Sequence, residues 1–288
     1  MKVFKKNRRW KFEIDEIGET VKIVRGHIGR CKTFRIPHEV TISGVKYRVK
    51  SVDLCAFNSS RTLKRLIIPD GVQFVDECNF NGCKNLKFVY MGKSVEYVLP
   101  YSFPINKHQV KVIINKANLY LVYHNGIICT RDGVAICSLI APRSLVIPEG
   151  VKVIGSLTFN GNNRLEEVKF PSSLKIIDDN GLSQCNNLKR VILPEGFECI
   201  NVQGLMDNAN LEMLDLPSTT IALGYEALYG CKNLRMLIIR AKHLLEPKLK
   251  PNSRFEFSEN CELYVPGNLL DAYRDHPVWG AFKSVKPL

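Results

Sequence analysis

Proline recurs every 23 residues through the middle of the chain, at Pro148, Pro171, Pro194 and Pro217. Two further sets keep the same period. Phe57, Phe80 and Phe103 form one, continued by Phe159, Leu182, Leu205 and Leu228; Leu63 and Leu86 form the other, continued by Leu165, Leu188, Leu211 and Leu234. Three series in phase at 23 residues constrain the fold more than any composition could. A segment of this length cannot bury an apolar face alone, so consecutive segments must stack and share one core. Each segment reads L-x-x-[VL]-x-[IL]-P, then a turn, then a V-x-x-I pair such as Val151/Ile154 or Leu174/Ile177. The L-x-x-L-x-I portion alternates as a strand should, with Leu63, Leu66 and Ile68 pointing inward. The expected architecture is a mainly β solenoid of about nine coils. Its parallel sheet is built from 63–68, 86–91, 112–114, 145–147, 165–170, 188–193, 211–216, 234–239 and 262–265.

Two insertions lengthen a coil without shifting the phase. Ile36 to Ile68 spans 32 residues and Ile114 to Ile147 spans 33. The second holds Asn125-Gly126 and Asp132-Gly133 between apolar runs, a hairpin signal, and reads as a β excursion on the side of the solenoid over 116–142. The ends differ from the coils, as caps do. Trp10, Phe12 and Ile14 alternate before Gly18, and Val21 and Ile23 follow, giving a β-hairpin cap within 1–50. Coils occupy 51–265, and a C-terminal cap with a short helix over Gly267–Asp275 occupies 266–288. A further series, Ser60, Cys83, Asn106, Asn162, Cys185, Asn208 and Cys231, places small hydrogen-bonding residues at a tight corner. Cys199 falls with Val153 and Ile176 in what reads as a core frame.

The segments Asn79-Phe80-Asn81-Gly82-Cys83-Lys84-Asn85-Leu86 and Glu226-Ala227-Leu228-Tyr229-Gly230-Cys231-Lys232-Asn233-Leu234, with Ile67-Ile68-Pro69, resemble the BspA-type leucine-rich repeat family. The Asn125-Gly126-Ile127-Ile128 insertion and the ending Tyr264-Val265-Pro266, Tyr273, Trp279 are similar to features common there. The resemblance runs from about Trp10 to Val285 and implies a right-handed leucine-rich repeat solenoid. It also implies an adhesion or protein-binding role, often at a cell surface, and no catalytic residue.

Motifs for chemistry are sparse. Gly92-Lys93-Ser94 lacks the earlier glycine of a phosphate loop, since Lys87 stands there, and it falls in a repeat turn. Asp178-Asp179 reads as a surface turn pair, and Asn58-Ser59-Ser60 is a glycosylation sequon with meaning only in a secretory pathway. The ten cysteines include no CxxC and the six histidines are scattered, so no metal site and no cofactor is expected. Cys55 and Cys78 lie 23 apart outside the core frames, close enough in adjacent coils for a bridge; free thiols are the favoured state. No run is apolar and long enough for a membrane helix. The basic N-terminus is followed by no apolar h-region, so it is not a secretory signal as written; a chain complete as written would be cytoplasmic, whereas the resemblance implies the surface.

Two surfaces remain as candidates. If Leu66 and Ile68 face inward, alternate residues face the open side of the sheet. There Ile67, Phe88, Tyr90 and Ile113 would form a contiguous apolar patch, with Met236 and Ile238 at equivalent places further on. Such patches often mark protein interfaces. The second surface is basic. Residues 1–50 carry 14 Lys or Arg against 5 Asp or Glu, most of the chain's net charge of +13. Lys5, Lys6, Arg8, Arg9 and Lys11 on the cap are candidates for binding a polyanion such as nucleic acid, an acidic glycan or an anionic surface. The expected function is non-enzymatic recognition of a protein or cell-surface ligand through the open face, with polyanion binding through the cap as the alternative.

Overall fold

The structure is a computed structural model that describes residues 3–6, 10–15, 17, 19–57, 60–103, 110–249 and 255–288, without the side chains of 3–6 and 258. Gly18, Asn58, Ser59 and Asn106 lie outside the described residues. Two compact units are present, Met1–Asp132 with Ile136–Ile140, and Gly133–Ala135 with Ala141–Leu288. Each is a stack of parallel coils whose apolar residues point inward.

In the N-terminal unit the front ladder runs through Thr33–Arg35, Arg65–Ile68, Phe88–Met91 and Lys111–Ile114. From the second strand on, the register repeats at 23: Arg65 pairs with Phe88, and Phe88 with Lys111. The inward residues Leu63, Leu66, Ile68, Leu86, Val89 and Met91 are fully buried. A second ladder joins Val45–Val52, Phe74–Val75 and Tyr97–Val98. The expected cap hairpin is formed by Lys11–Ile14 and Thr20–Arg25. Trp10 seals it by packing edge-on against Phe57 at 5.4 Å. Rings then continue from Phe57 to Phe80 at 5.4 Å and Phe80 to Phe103 at 6.0 Å. The extra residues after Ile36 fold as a second hairpin, Glu39–Ile42 against Val45–Val52. Its turn residues Ser43 and Gly44 both have positive φ, as a tight two-residue turn between twisted strands requires.

Leu121–His124 and Ile127–Thr130 pair antiparallel around Asn125-Gly126, the hairpin expected from the Asx-Gly signal. The segment is not a flap on the side. Ile127, Ile128 and Cys129 are buried in succession, as are Ile136 and Cys137. Consecutive buried residues on a strand mean burial on both faces.

In the C-terminal unit the second ladder is unbroken: Val134–Ala135, Val153–Ile154, Ile176–Ile177, Cys199–Ile200 and Ala222–Leu223. The front ladder is not, which corrects the single sheet expected from the common phase. Ser144–Val146 pairs with Glu167–Lys169, and a separate five-strand sheet holds Arg190–Ile192, Met213–Leu216, Met236–Ile239, Glu262–Val265 and Ser284–Pro287. Phe170 stands at the break. It is bulkier than the Leu or Ile in that slot at Leu193, Leu216 and Ile239. Both Phe170 and Val168 are only half-buried, whereas Val191, Leu193, Leu214 and Leu216 are buried.

The corner series behaves as its chemistry requires. Asn208 Nδ2 donates to the Leu182 and Leu205 carbonyls at 3.0 and 2.8 Å, and its Oδ1 accepts from the Cys185 N–H at 2.8 Å. Cys231 Sγ reaches the Leu205 carbonyl at 3.2 Å. Cys199, Val153 and Ile176 are half-buried, which corrects the core frame assigned to them. In these two-residue strands it is the following residue, Ile154, Ile177 or Ile200, that turns fully inward. Another column takes the left-handed conformation without glycine: Cys55, Cys78, Tyr101, Leu157, Asn180, Gln203 and Glu226 all have φ between 52° and 59°. The C-terminal cap contains the short helix Leu270–Asp275. Trp279 Nε1 donates to the Leu245 carbonyl at 2.6 Å, and the Leu245 N–H donates to Tyr273 Oη at 3.1 Å. Both aromatic side chains are fully buried.

Candidate recognition surface

Strand alternation sets the front face of the N-terminal unit. Between the buried Leu66 and Ile68, Ile67 turns outward and lies in register with Tyr90 and then Ile113. Ile113 is 40% exposed, and Ile67, Tyr90 and Phe88 are half-buried. The four residues expected to adjoin do adjoin. Their rings are not loose: the Arg65 guanidinium lies 4.3 Å from the centre of Phe88, and Asn115 Nδ2 donates to Tyr90 Oη at 3.0 Å. The patch is therefore pre-ordered and partly dry.

The equivalent positions of the C-terminal unit differ. Val146 and Ile192 are 57% and 58% exposed, but Ile238 is only 9% exposed and Met236 is half-buried. Ile238 lies in register between Asp215 and Tyr264. Asp215 forms a bidentate pair with Arg240 at 2.8 and 3.0 Å, and Tyr264 carries Lys286 over its ring. Flanked in register by Asp215 and Tyr264, Ile238 has little surface to offer.

The basic cap is harder to place. Lys5 and Lys6 lie on the strand Val3–Lys6, opposite Phe12 and Lys11, and Lys11 is exposed. Arg8 and Arg9 lie outside the described residues. A denser basic feature, not singled out by counting charge along the sequence, lies on the front ladder itself. The lead-in residues Lys32, Lys64 and Lys87 are exposed and stacked: the Lys64 N–H donates to the Lys32 carbonyl at 2.8 Å and the Lys87 N–H to the Lys64 carbonyl at 2.9 Å.

Groups that could have carried other chemistry have structural partners. A side chain at Gly92 would place its Cβ 2.5 Å from the Asp70 nitrogen, and the Lys93 N–H donates to Asp70 Oδ1 at 2.7 Å. The Gly-Lys-Ser sequence thus serves coil stacking. Asp178 accepts from Asn201 Nδ2 at 2.8 Å, and Asp179 from the Val202 N–H at 3.1 Å, tying one coil to the next. Burial pushes the thiols of Cys129, Cys137, Cys185, Cys231 and Cys261 up to about 12, far from a reactive thiolate at neutral pH. Cys55 and Cys78 are unbridged, and the Cys78 thiol is raised above its ordinary value by burial and then by its neighbour Cys55. Among the described residues no cluster of three His, Cys, Asp or Glu has metal-binding geometry, and no helix is long and apolar enough to cross a membrane.

Comparison with known proteins bears on the fold. The family model for the BspA type leucine-rich repeat region matches in six copies, over residues 32–124 and 137–245. A search of curated proteins found no match. Among solved structures, the chain is similar to the pneumococcal vaccine antigen PcpA, with a TM-score of 0.57 and 15% identity, covering 100% of this chain and 99% of that one. It also aligns with a leucine-rich repeat protein from Bacteroides ovatus, with a TM-score of 0.48 and 21% identity, covering 99% of this chain and 76% of that one. At such identities the first likeness concerns the fold alone.

Proposed function

The chain belongs to the BspA-type leucine-rich repeat family, and from that premise we propose that it is a non-catalytic recognition scaffold that docks a protein or cell-surface ligand on the front sheet of its N-terminal unit. The observation that carries this reading is the contiguous patch of Ile67, Phe88, Tyr90 and Ile113 on adjacent strands. Apolar residues on an open sheet face are more useful to a partner than to solvent. Rings already fixed by Arg65 and Asn115 lose little side-chain freedom on docking. Aromatic anchors of this kind dominate many interfaces. Met236 and Ile238 belong to the C-terminal unit and form no part of this docking patch. The family premise supports display at a cell surface.

The test is a pair of measurements on one captured and purified partner. Phe88→Ala with Tyr90→Ala should weaken its Kd by at least about tenfold, the loss expected of one hot-spot pair, while the thermal midpoint changes little. Equal binding by parent and double variant would place the docking site elsewhere.

A further inference from the structure

The lead-in column of the front ladder can be followed in both units, and its two halves obey different rules. In the C-terminal unit it reads Arg143, Glu166, Lys189, Glu212, Arg235, an alternation of sign. These residues stack by backbone bonds: the Glu166 N–H to the Arg143 carbonyl at 2.7 Å, Glu212 to Lys189 at 2.8 Å and Arg235 to Glu212 at 3.0 Å. Arg143 and Glu166 also form an ion pair at 2.8 Å. This is what the position looks like when neighbouring strands satisfy each other. In the N-terminal unit the same column is Lys32, Lys64, Lys87. The segments 30–37, 61–69 and 84–93 together hold nine Lys or Arg and no Asp or Glu. Arg61 and Lys84 stand one coil apart beside the column, and Arg65 lies on its inner side; all are exposed. The ion pairs described in this unit are Lys22–Asp53, His38–Glu39 and Arg48–Glu19, and none involves these six cations. Like charges on adjacent strands disfavour folding, so a stack of them that the fold does not need points to a use.

We propose that the column Lys32–Lys64–Lys87, flanked by Arg61, Lys84 and Arg65, binds a linear sulfated glycan. Strands spaced ~4.8 Å apart present two rows of cations along the stacking direction, a track for a chain with anions at short, regular intervals. Single-stranded nucleic acid fits less well, because its binding sites pair such a track with open aromatic platforms for the bases. Here Phe88 is covered by Arg65 and Tyr90 is tied to Asn115. The column lies beside the proposed protein-docking patch and shares Arg65 with it, since Arg65 stacks on Phe88; it moves the basic surface from Lys5–Lys11 to the front ladder.

The experiment uses the full chain and a heparin oligosaccharide of defined length, with binding followed by fluorescence anisotropy across a salt series. Lys64→Glu imposes on this column the alternation of the C-terminal unit. It should weaken binding by at least about tenfold, with a thermal midpoint at or above that of the parent. Replacing Lys32, Lys64 and Lys87 together by Ser should lower the slope of log affinity against log salt by roughly 2, at about 0.7 per lost contact. The three Lys→Arg changes should retain binding. Lys189→Ser with Arg235→Ser should leave it within about twofold. Unchanged affinity in folded Lys64→Glu, or loss of binding on replacing only Lys5, Lys6, Arg8, Arg9 and Lys11, would overturn the assignment. So would equal binding of desulfated heparin, or tighter binding of oligothymidylate or polyglutamate. Tyr90→Ala alone, which leaves Arg65 on the Phe88 ring, should bind the oligosaccharide as the parent does, so failure of the glycan site and of the protein patch can be told apart.

Discussion

The two units use one coil plan and fill it differently. The N-terminal unit stacks rings at Phe57, Phe80 and Phe103, and carries a front margin of one sign. The C-terminal unit keeps one ring at Phe159, continues with Leu182, Leu205 and Leu228, all buried, and alternates its front charges. Inward positions thus vary only between apolar shapes of similar bulk, because a close-packed core tolerates little else. Outward positions are free of that demand, and what occupies them reports on use.

The comparison can be broken first in the core. Phe80→Ala removes the central ring of the aromatic ladder and should cost about 4 kcal/mol, against about 3 kcal/mol for Leu205→Ala. Urea denaturation of the full chain reads both. Equal costs would show that the rings contribute no more than Leu does. Next is the corner series. Asn208→Ala strips partners from one buried N–H and two carbonyls and should cost about 2–3 kcal/mol. Asn162, at the same position of another coil, has a buried Nδ2 with no partner among the described residues. Asn162→Cys, which installs the residue found at Cys185 and Cys231, should therefore stabilise by roughly 1 kcal/mol. A loss of stability instead would mean that the Asn162 amide is satisfied. The smallest effect concerns Cys78, whose thiol is raised above its ordinary value by burial and then by Cys55. A raised pKa leaves less thiolate at a given pH, so at pH about 8 Cys78 should alkylate more slowly than a free thiol such as glutathione. Cys55→Ser should speed it. All ten cysteines should titrate as thiols once the chain is denatured without reductant.

Much of the fold was legible because its code is repetition. Leu63, Leu66 and Ile68 needed no more than their period to be placed inside. The hairpin at Asn125-Gly126 was equally plain, since few other dipeptides accept positive φ twice. What escaped lacked a period. The strand Ser284–Pro287 pairs with Glu262–Val265 at the end of the chain, where no series continues. The hairpin around Ser43-Gly44 carries a weaker turn signal than Asx-Gly. A two-residue strand cannot show alternation, so the period places Cys199 inside along with Ile200, and only Ile200 is fully buried. The front break falls beside the half-buried Phe170, which a pattern of apolar letters treats as one more match. At the candidate surface, outward phase finds Ile113 exposed but gives no sign that Ile238 is nearly buried. Charge counted by segment credits the cap with Arg35 on the first front strand and with Lys32 just before it.

The left-handed column has a consequence for how such a chain is made. Leu157, Asn180, Gln203 and Glu226 each hold a conformation costing about 1–2 kcal/mol for residues with a Cβ, and each sends its N–H forward to a carbonyl of the following coil, at Asp179, Val202, Tyr225 and Lys248. The compensation for each coil therefore arrives only with the next one. On a ribosome adding about 5–20 residues per second, a newly emerged coil waits seconds for the partner that relieves it. Shortening the array from its beginning removes no such partner from the coils that remain. Shortening it from its end leaves the last coil with a strained corner and an unanswered donor.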